Sequence, residues 1–129
     1  MDNKINHNEG IYEDELEAAQ EEAEAEAVSI TRKTVILRKE LNYNGITYDE
    51  LHFDFDQLTG RDSLEVENEI ERRTGGTVVV PAINVEFLTC ISAKACEEPI
   101  GRDALLSLNL SDFNHIRNLA RNFMLRSDR

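Results

Sequence analysis

Two runs rich in β-branched and aromatic residues, "TVILRKEL" and "ITYDELHFDF", meet at Asn42-Tyr43-Asn44-Gly45, and that junction limits the fold more than any other feature of the chain. A two-residue type I′ turn needs φ > 0 at both central positions, which Asn and Gly tolerate best, so Asn44-Gly45 predicts a β-hairpin. In the second strand Leu51, Phe53 and Phe55 alternate with Glu50, His52, Asp54 and Asp56. That period of two predicts one face packed on helices and one face in water.

Helix signals follow. In "LTGRD", Thr59 is placed to cap a helix and Asp62, three residues on, to reach back to the cap from the positive end of the helix dipole. The helix is expected to run to about Arg73, with Arg72 and Arg73 at its negative end and Gly75-Gly76 as its stop. Leu64, Val66 and Ile70 are its chief apolar residues, and Glu65, Glu67, Glu69 and Glu71 alternate around them, so most of its surface is expected to meet water.

The run Val78 to Val80 fits either a short third strand or an extended linker, and Pro81 then favours the first turn of a new helix. Ile83, Val85, Phe87, Leu88, Cys90, Ile91 and Lys94 fall near helical spacing and form a broad, mainly apolar face for the core. After "EPIGRD", the stretch "ALLSLNL" reads as one helical turn leading to a cap at Ser111. The last helix sets Phe113, Ile116, Ala120, Phe123 and Met124 along one stripe, flanked by Arg117, Arg121 and Arg126. That stripe is either core or a partner-binding face, and its five residues are the candidate site. The predicted class is α+β: an N-terminal β-hairpin, with a third short strand left open, packed against three to four short helices and preceded by a disordered acidic tail.

The tail is read from charge. The chain of 129 residues carries a net charge of −12, and residues 1 to 29 hold ten carboxylates against Lys4 alone. The run "EDELEAAQEEAEAEA" has high helix propensity but only Leu16 as a large apolar residue, so it offers no stripe to bury. Residues 1–30 are therefore expected to be a disordered or fraying-helical tail, and residues 31–129 one small domain. Such acidity opposes binding to nucleic acid or to anionic membranes and directs attention to protein partners. The longest apolar run, around Val78 to Ala82, is far short of the ~20 residues that span a bilayer. The acidic N-terminus lacks the basic and apolar regions of a signal peptide, so an intracellular protein is expected. Cys90 and Cys96 read as two reduced, partly buried thiols on different faces of one helix.

Motifs for chemistry are weak. Counting an EF-hand loop from Asp54 puts Asp56, Asp62 and Glu65 at ligand positions, but Leu58 and Thr59 occupy positions 5 and 6, where an oxygen ligand and a glycine belong. Capping and strand alternation account for the same acids. His7, His52 and His115 have no Cys or His neighbour at zinc-ligand spacing. There is no phosphate loop, no nucleophile elbow and no Cys-His pair with a positioned third group. A helix-turn-helix over residues 102 to 126, with Arg117, Arg121 and Arg126 near one face, runs against the acidity of the whole chain. No enzyme, metal or cofactor is expected.

The segment "TVILRKELNYNGITYDELHFDFDQLTGRDSLEVENE" resembles the tail assembly chaperones of tailed bacteriophages, the Mu-like and P2-like family. "EPIGRDALLSLNLSDFNHIRNLARNFM" is similar to that family's second half, where a Leu-rich turn precedes an Asp-containing final helix. The likeness covers residues 34 to 126, and the acidic tail and the "GGTVVVPA" segment depart from it. It implies a non-enzymatic helper in the host cytoplasm, absent from the finished virion. Such a helper coats the tape measure protein, keeps it soluble, recruits tail tube subunits and self-associates weakly. The alternative is a small acidic adaptor or regulatory domain that binds a basic protein partner through its tail.

Overall fold

The structure, a computed structural model, describes residues 32–127. The predicted tail over residues 1–30 lies outside the described residues. Strands β1 (Arg32–Tyr43) and β2 (Ile46–Asp54) form a two-stranded antiparallel sheet. Asn44 at φ 51° and Gly45 at φ 81° join them, both left-handed as the turn requires. Val35, Leu37 and Leu41 of β1 and Leu51 and Phe53 of β2 are buried, whereas Ile36 on the opposite face is exposed.

The ladder is regular from Arg32 opposite Asp54 to Ile36 opposite Glu50, then resumes at Leu41 opposite Tyr48. Residues 37–40 thus lie opposite Asp49 alone, a large bulge that shifts the apolar set from Leu37 to Leu41 and takes amides out of the ladder. Asp112, from the last helix, supplies the acceptor. Its carboxylate accepts from the Arg38 amide at 2.9 and 3.1 Å and from the Lys39 amide at 3.4 Å. An unpaired carboxylate only 2% exposed would be costly, and these amides satisfy it.

A 3₁₀ turn (Phe55–Gln57) leads into helix α1 (Gly60–Thr74). Both arms of the predicted capping box are made: the Thr59 amide donates to Asp62 Oδ2 at 2.8 Å, and the Asp62 amide to Thr59 Oγ1 at 3.4 Å. Gly75, at φ 74°, ends the helix by donating to the Glu71 carbonyl at 2.8 Å. Val66 and Ile70 are buried and Leu64 is exposed. Helix α2 (Val85–Ala95) is capped by Asn84, whose side chain accepts from the Phe87 amide at 2.8 Å. It is the centre of the core, with Phe87, Leu88, Cys90, Ile91 and Ala95 all buried. Thr89 and Ser92 are buried there too, because their hydroxyls donate to the carbonyls of Val85 and Leu88.

Helix α3 (Arg102–Leu106) and helix α4 (Leu110–Ser127) complete the α+β architecture, four helices following one hairpin. Phe53, Phe55 and Phe123 form a row of rings, with centroids 6.1 and 5.5 Å apart, that ties β2 and the 3₁₀ turn to α4.

One alternative left open is settled, and two expectations need correcting. Val78 to Val80 do not form a strand: Val78 is buried, Val79 is 85% exposed, and the chain turns into a 3₁₀ turn (Pro81–Ile83). Proline lacks the N–H a ladder needs, and the free edge of β2 is taken by another segment. Cys96 bridges Phe53 there, and the Glu97 amide donates to the His52 carbonyl at 2.8 Å. Cys96 is consequently not helical; it is the cap residue at the end of α2. Finally, the cap of α4 is Asn109 rather than Ser111, since the Asp112 amide donates to Asn109 Oδ1 at 2.8 Å.

Candidate partner-binding surface

The five residues of the α4 stripe divide by depth. Ile116 and Ala120 are buried at 2% and 0% exposure, while Phe113, Phe123 and Met124 are partly buried at the border of the core. One face of α4 therefore covers the hairpin and α2, with Phe123 fixed by its contact with Phe55.

Exposed apolar surface is concentrated elsewhere. Ten large apolar side chains are exposed among the described residues, and Val79, Val80, Ile83 and Val85 fall within one run of seven positions. Single exposed residues of this kind are ordinary, but a contiguous group marks a contact surface. Ile83 and Val85 form one wall of a groove of about 280 Å³, Leu88 its floor, and Arg117, Asn118 and Arg121 of α4 the opposite wall. That volume is small against the roughly 300 to 1,000 Å³ of sites that engulf a small ligand.

Ion pairs hold some of the basic residues and leave others, such as Arg61 and Arg72, without a carboxylate partner among the described residues. Glu86 is shared by Arg102, at 2.9 Å, and Arg73, at 3.1 Å, which holds its carboxyl below the usual range and links α2 to α3 and α1. Lys94 lies 2.7 Å from Glu65, and Arg32 lies 2.7 Å from Glu97. Among the described residues Arg117 and Arg121 have no carboxylate partner. Helix α4 carries three arginines against one acid, Asp112, whose carboxylate is occupied at the β1 bulge. On an acidic chain this wall of the groove is a local cationic strip.

The structure also assembles a group that the sequence does not suggest. Glu98 Oε1 accepts from the His52 amide at 2.8 Å and from the Cys96 thiol at 3.4 Å, and Glu98 Oε2 lies 2.6 Å from His52 Nδ1. Glu50 approaches the other ring nitrogen at 3.4 Å. The hydrogen bond to Glu98 raises the His52 pKa above its ordinary value. Burial pushes Glu98 up, but its bonds from His52 and Cys96 outweigh that and leave it below the usual value.

Histidine, carboxylate and thiol are the ingredients of nucleophilic catalysis, yet the electrostatics run the other way. Burial pushes the Cys96 thiol up to about 12, so it is neutral near pH 7, and the histidine bonds the carboxylate rather than the thiol. The group clips the loop after α2 onto β2. The acids counted for a calcium loop are likewise engaged locally: Asp54 accepts from the Asp56 amide, Asp62 completes the α1 cap and Glu65 pairs with Lys94. Among the described residues no cluster of His, Cys, Asp and Glu has metal-binding geometry, and no helix is long and apolar enough to cross a membrane.

No protein-family model matches the chain, and no curated protein or solved structure matches it either.

Proposed function

We propose that this chain is a tail assembly chaperone of a tailed bacteriophage. It acts in the cytoplasm of the bacterial host by non-covalent binding to the tape measure protein, keeps that protein soluble, helps to recruit tail tube subunits and leaves before the virion is finished. The resemblance over residues 34 to 126 suggests the family. The observation that carries the binding role is the uncovered apolar run Val79, Val80, Ile83 and Val85. A chaperone of this kind masks apolar surface on its client through surface of its own and gives it up when a later subunit competes.

The deciding experiment is co-expression with the tape measure protein of the same genome, followed by affinity capture and light scattering of the soluble fraction. The expected result is a soluble complex containing several copies of this chain per tape measure. An insoluble tape measure, with this chain alone in solution, would sink the reading.

A further inference from the structure

We infer that the groove between the Pro81–Ile83 turn and α4 is the docking site for an acidic-flanked amphipathic helix of a partner protein. The inference rests on the reading above, that the chain works by non-covalent binding to a protein client, and it names the surface and the chemistry of what binds there.

The groove has the two elements such a helix needs. Ile83 and Val85, 63% and 47% exposed, stand above buried Leu88 and give an apolar wall and floor. Val79 and Val80 prolong the apolar run along the chain. Arg117 and Arg121 form the opposite wall one helical turn apart, so their guanidinium groups project from the same face. A docked helix would lay an i, i+3, i+4, i+7 apolar stripe on the valines and Ile83, with two carboxylates four residues apart along its flank to meet the arginines.

Charge selects among occupants. A basic helix would leave both arginines facing like charge, and an uncharged one would gain nothing from them. An acidic flank pairs both, through bonds that Arg can make with two parallel N–H groups. Such pairs steer encounter and fix register, and they weaken with salt. The groove, at about 280 Å³, lies at the small end of ligand sites, whereas a helix needs only to lay one face along it.

The test uses the full-length protein and two labelled synthetic helical peptides with the same leucine stripe, one flanked by Glu at i and i+4 and the other by Lys. The Glu peptide is expected to bind, more weakly as salt rises, and the Lys peptide at least roughly tenfold more weakly. The double variant Arg117→Glu/Arg121→Glu should reverse that preference, and Ile83→Asp should weaken both peptides. Arg126→Glu, outside the groove lining, should change neither. All these side chains are at least partly exposed, so thermal melts are expected to match wild type.

Equal binding of the two peptides, or an unchanged preference in the double variant, overturns the assignment. So does sedimentation showing that wild-type protein self-associates through this groove and the double variant does not, since the occupant is then a second copy. Client capture is scored separately: failure with the wild type counts against the chaperone role, whereas wild-type success that the groove variants retain counts against the groove alone.

Discussion

Asp112 joins the last helix to the first strand through the amides of Arg38 and Lys39. Replacing it with alanine strands these donors at a bulge that has no ladder partner, and the expected loss is about 2 to 3 kcal/mol. The check is a urea denaturation curve, where an unchanged midpoint would mean that water serves as well as the carboxylate. His52 gives a second prediction at this scale. Its raised pKa makes a contribution to stability that is complete below the ordinary histidine value of 6.5 and fades as pH rises through the folded value. The depressed pKa of Glu98 makes one that is complete above the ordinary glutamate value of 4.5 and fades as pH falls through the folded value. The melting temperature of wild type minus that of His52→Gln should therefore be largest between pH 4.5 and 6.5 and shrink at higher pH. A difference that stays flat from acid to alkaline pH would contradict the clip. Neither contact was legible in the sequence, since the partners are 74 and 46 positions apart and nothing local marks them.

Elements whose signals are local were read well. The Asn44-Gly45 turn and α1 each depend on a few adjacent residues, and Thr59, Asp62 and Gly75 act as their types predict. Thr59→Ala should remove both hydroxyl contacts of the capping box and cost about 1 kcal/mol, visible as a lower thermal midpoint. No shift would show that the Asp62 bond to the Thr59 amide suffices alone. Elements decided by competition between segments were not legible. Val78 to Val80 have the composition of a strand, but the edge of β2 goes to Cys96 and Glu97, whose residue types announce no strand. Ile83 was grouped with the apolar face of α2 and is 63% exposed instead. It belongs to a 3₁₀ turn with three residues per turn, so its side chain leaves the buried stripe of α2, which begins at Phe87 because Val85, in the same predicted face, is 47% exposed.

Across the whole molecule, the helices must close over one face of a hairpin, and Phe55 stands where three of the pieces meet. It stacks on Phe53 and on Phe123 and is 2% exposed, so Phe55→Ala is expected to cost roughly 3 to 5 kcal/mol. Chemical denaturation would measure it, and a loss under about 1 kcal/mol would mean that the cavity collapses at little cost. The candidate site was half visible at this scale. Sequence spacing found the α4 stripe, but a stripe that covers the core and one that waits for a partner obey the same periodicity. Only the arrangement of α2, α4 and the Pro81–Ile83 turn sets Ile83 and Val85 across from Arg117 and Arg121. The Asp112 clip has one more consequence, for the order of events on the ribosome. Synthesis at about 5 to 20 residues per second puts roughly 4 to 15 s between Arg38 and Asp112. Throughout that interval the hairpin lacks its bulge acceptor and the cover of α4, and a lone two-stranded hairpin is marginal in water. The fold therefore closes only once α4 has been made, and a nascent chain stalled before Asn109 lacks the clip that holds the β1 bulge.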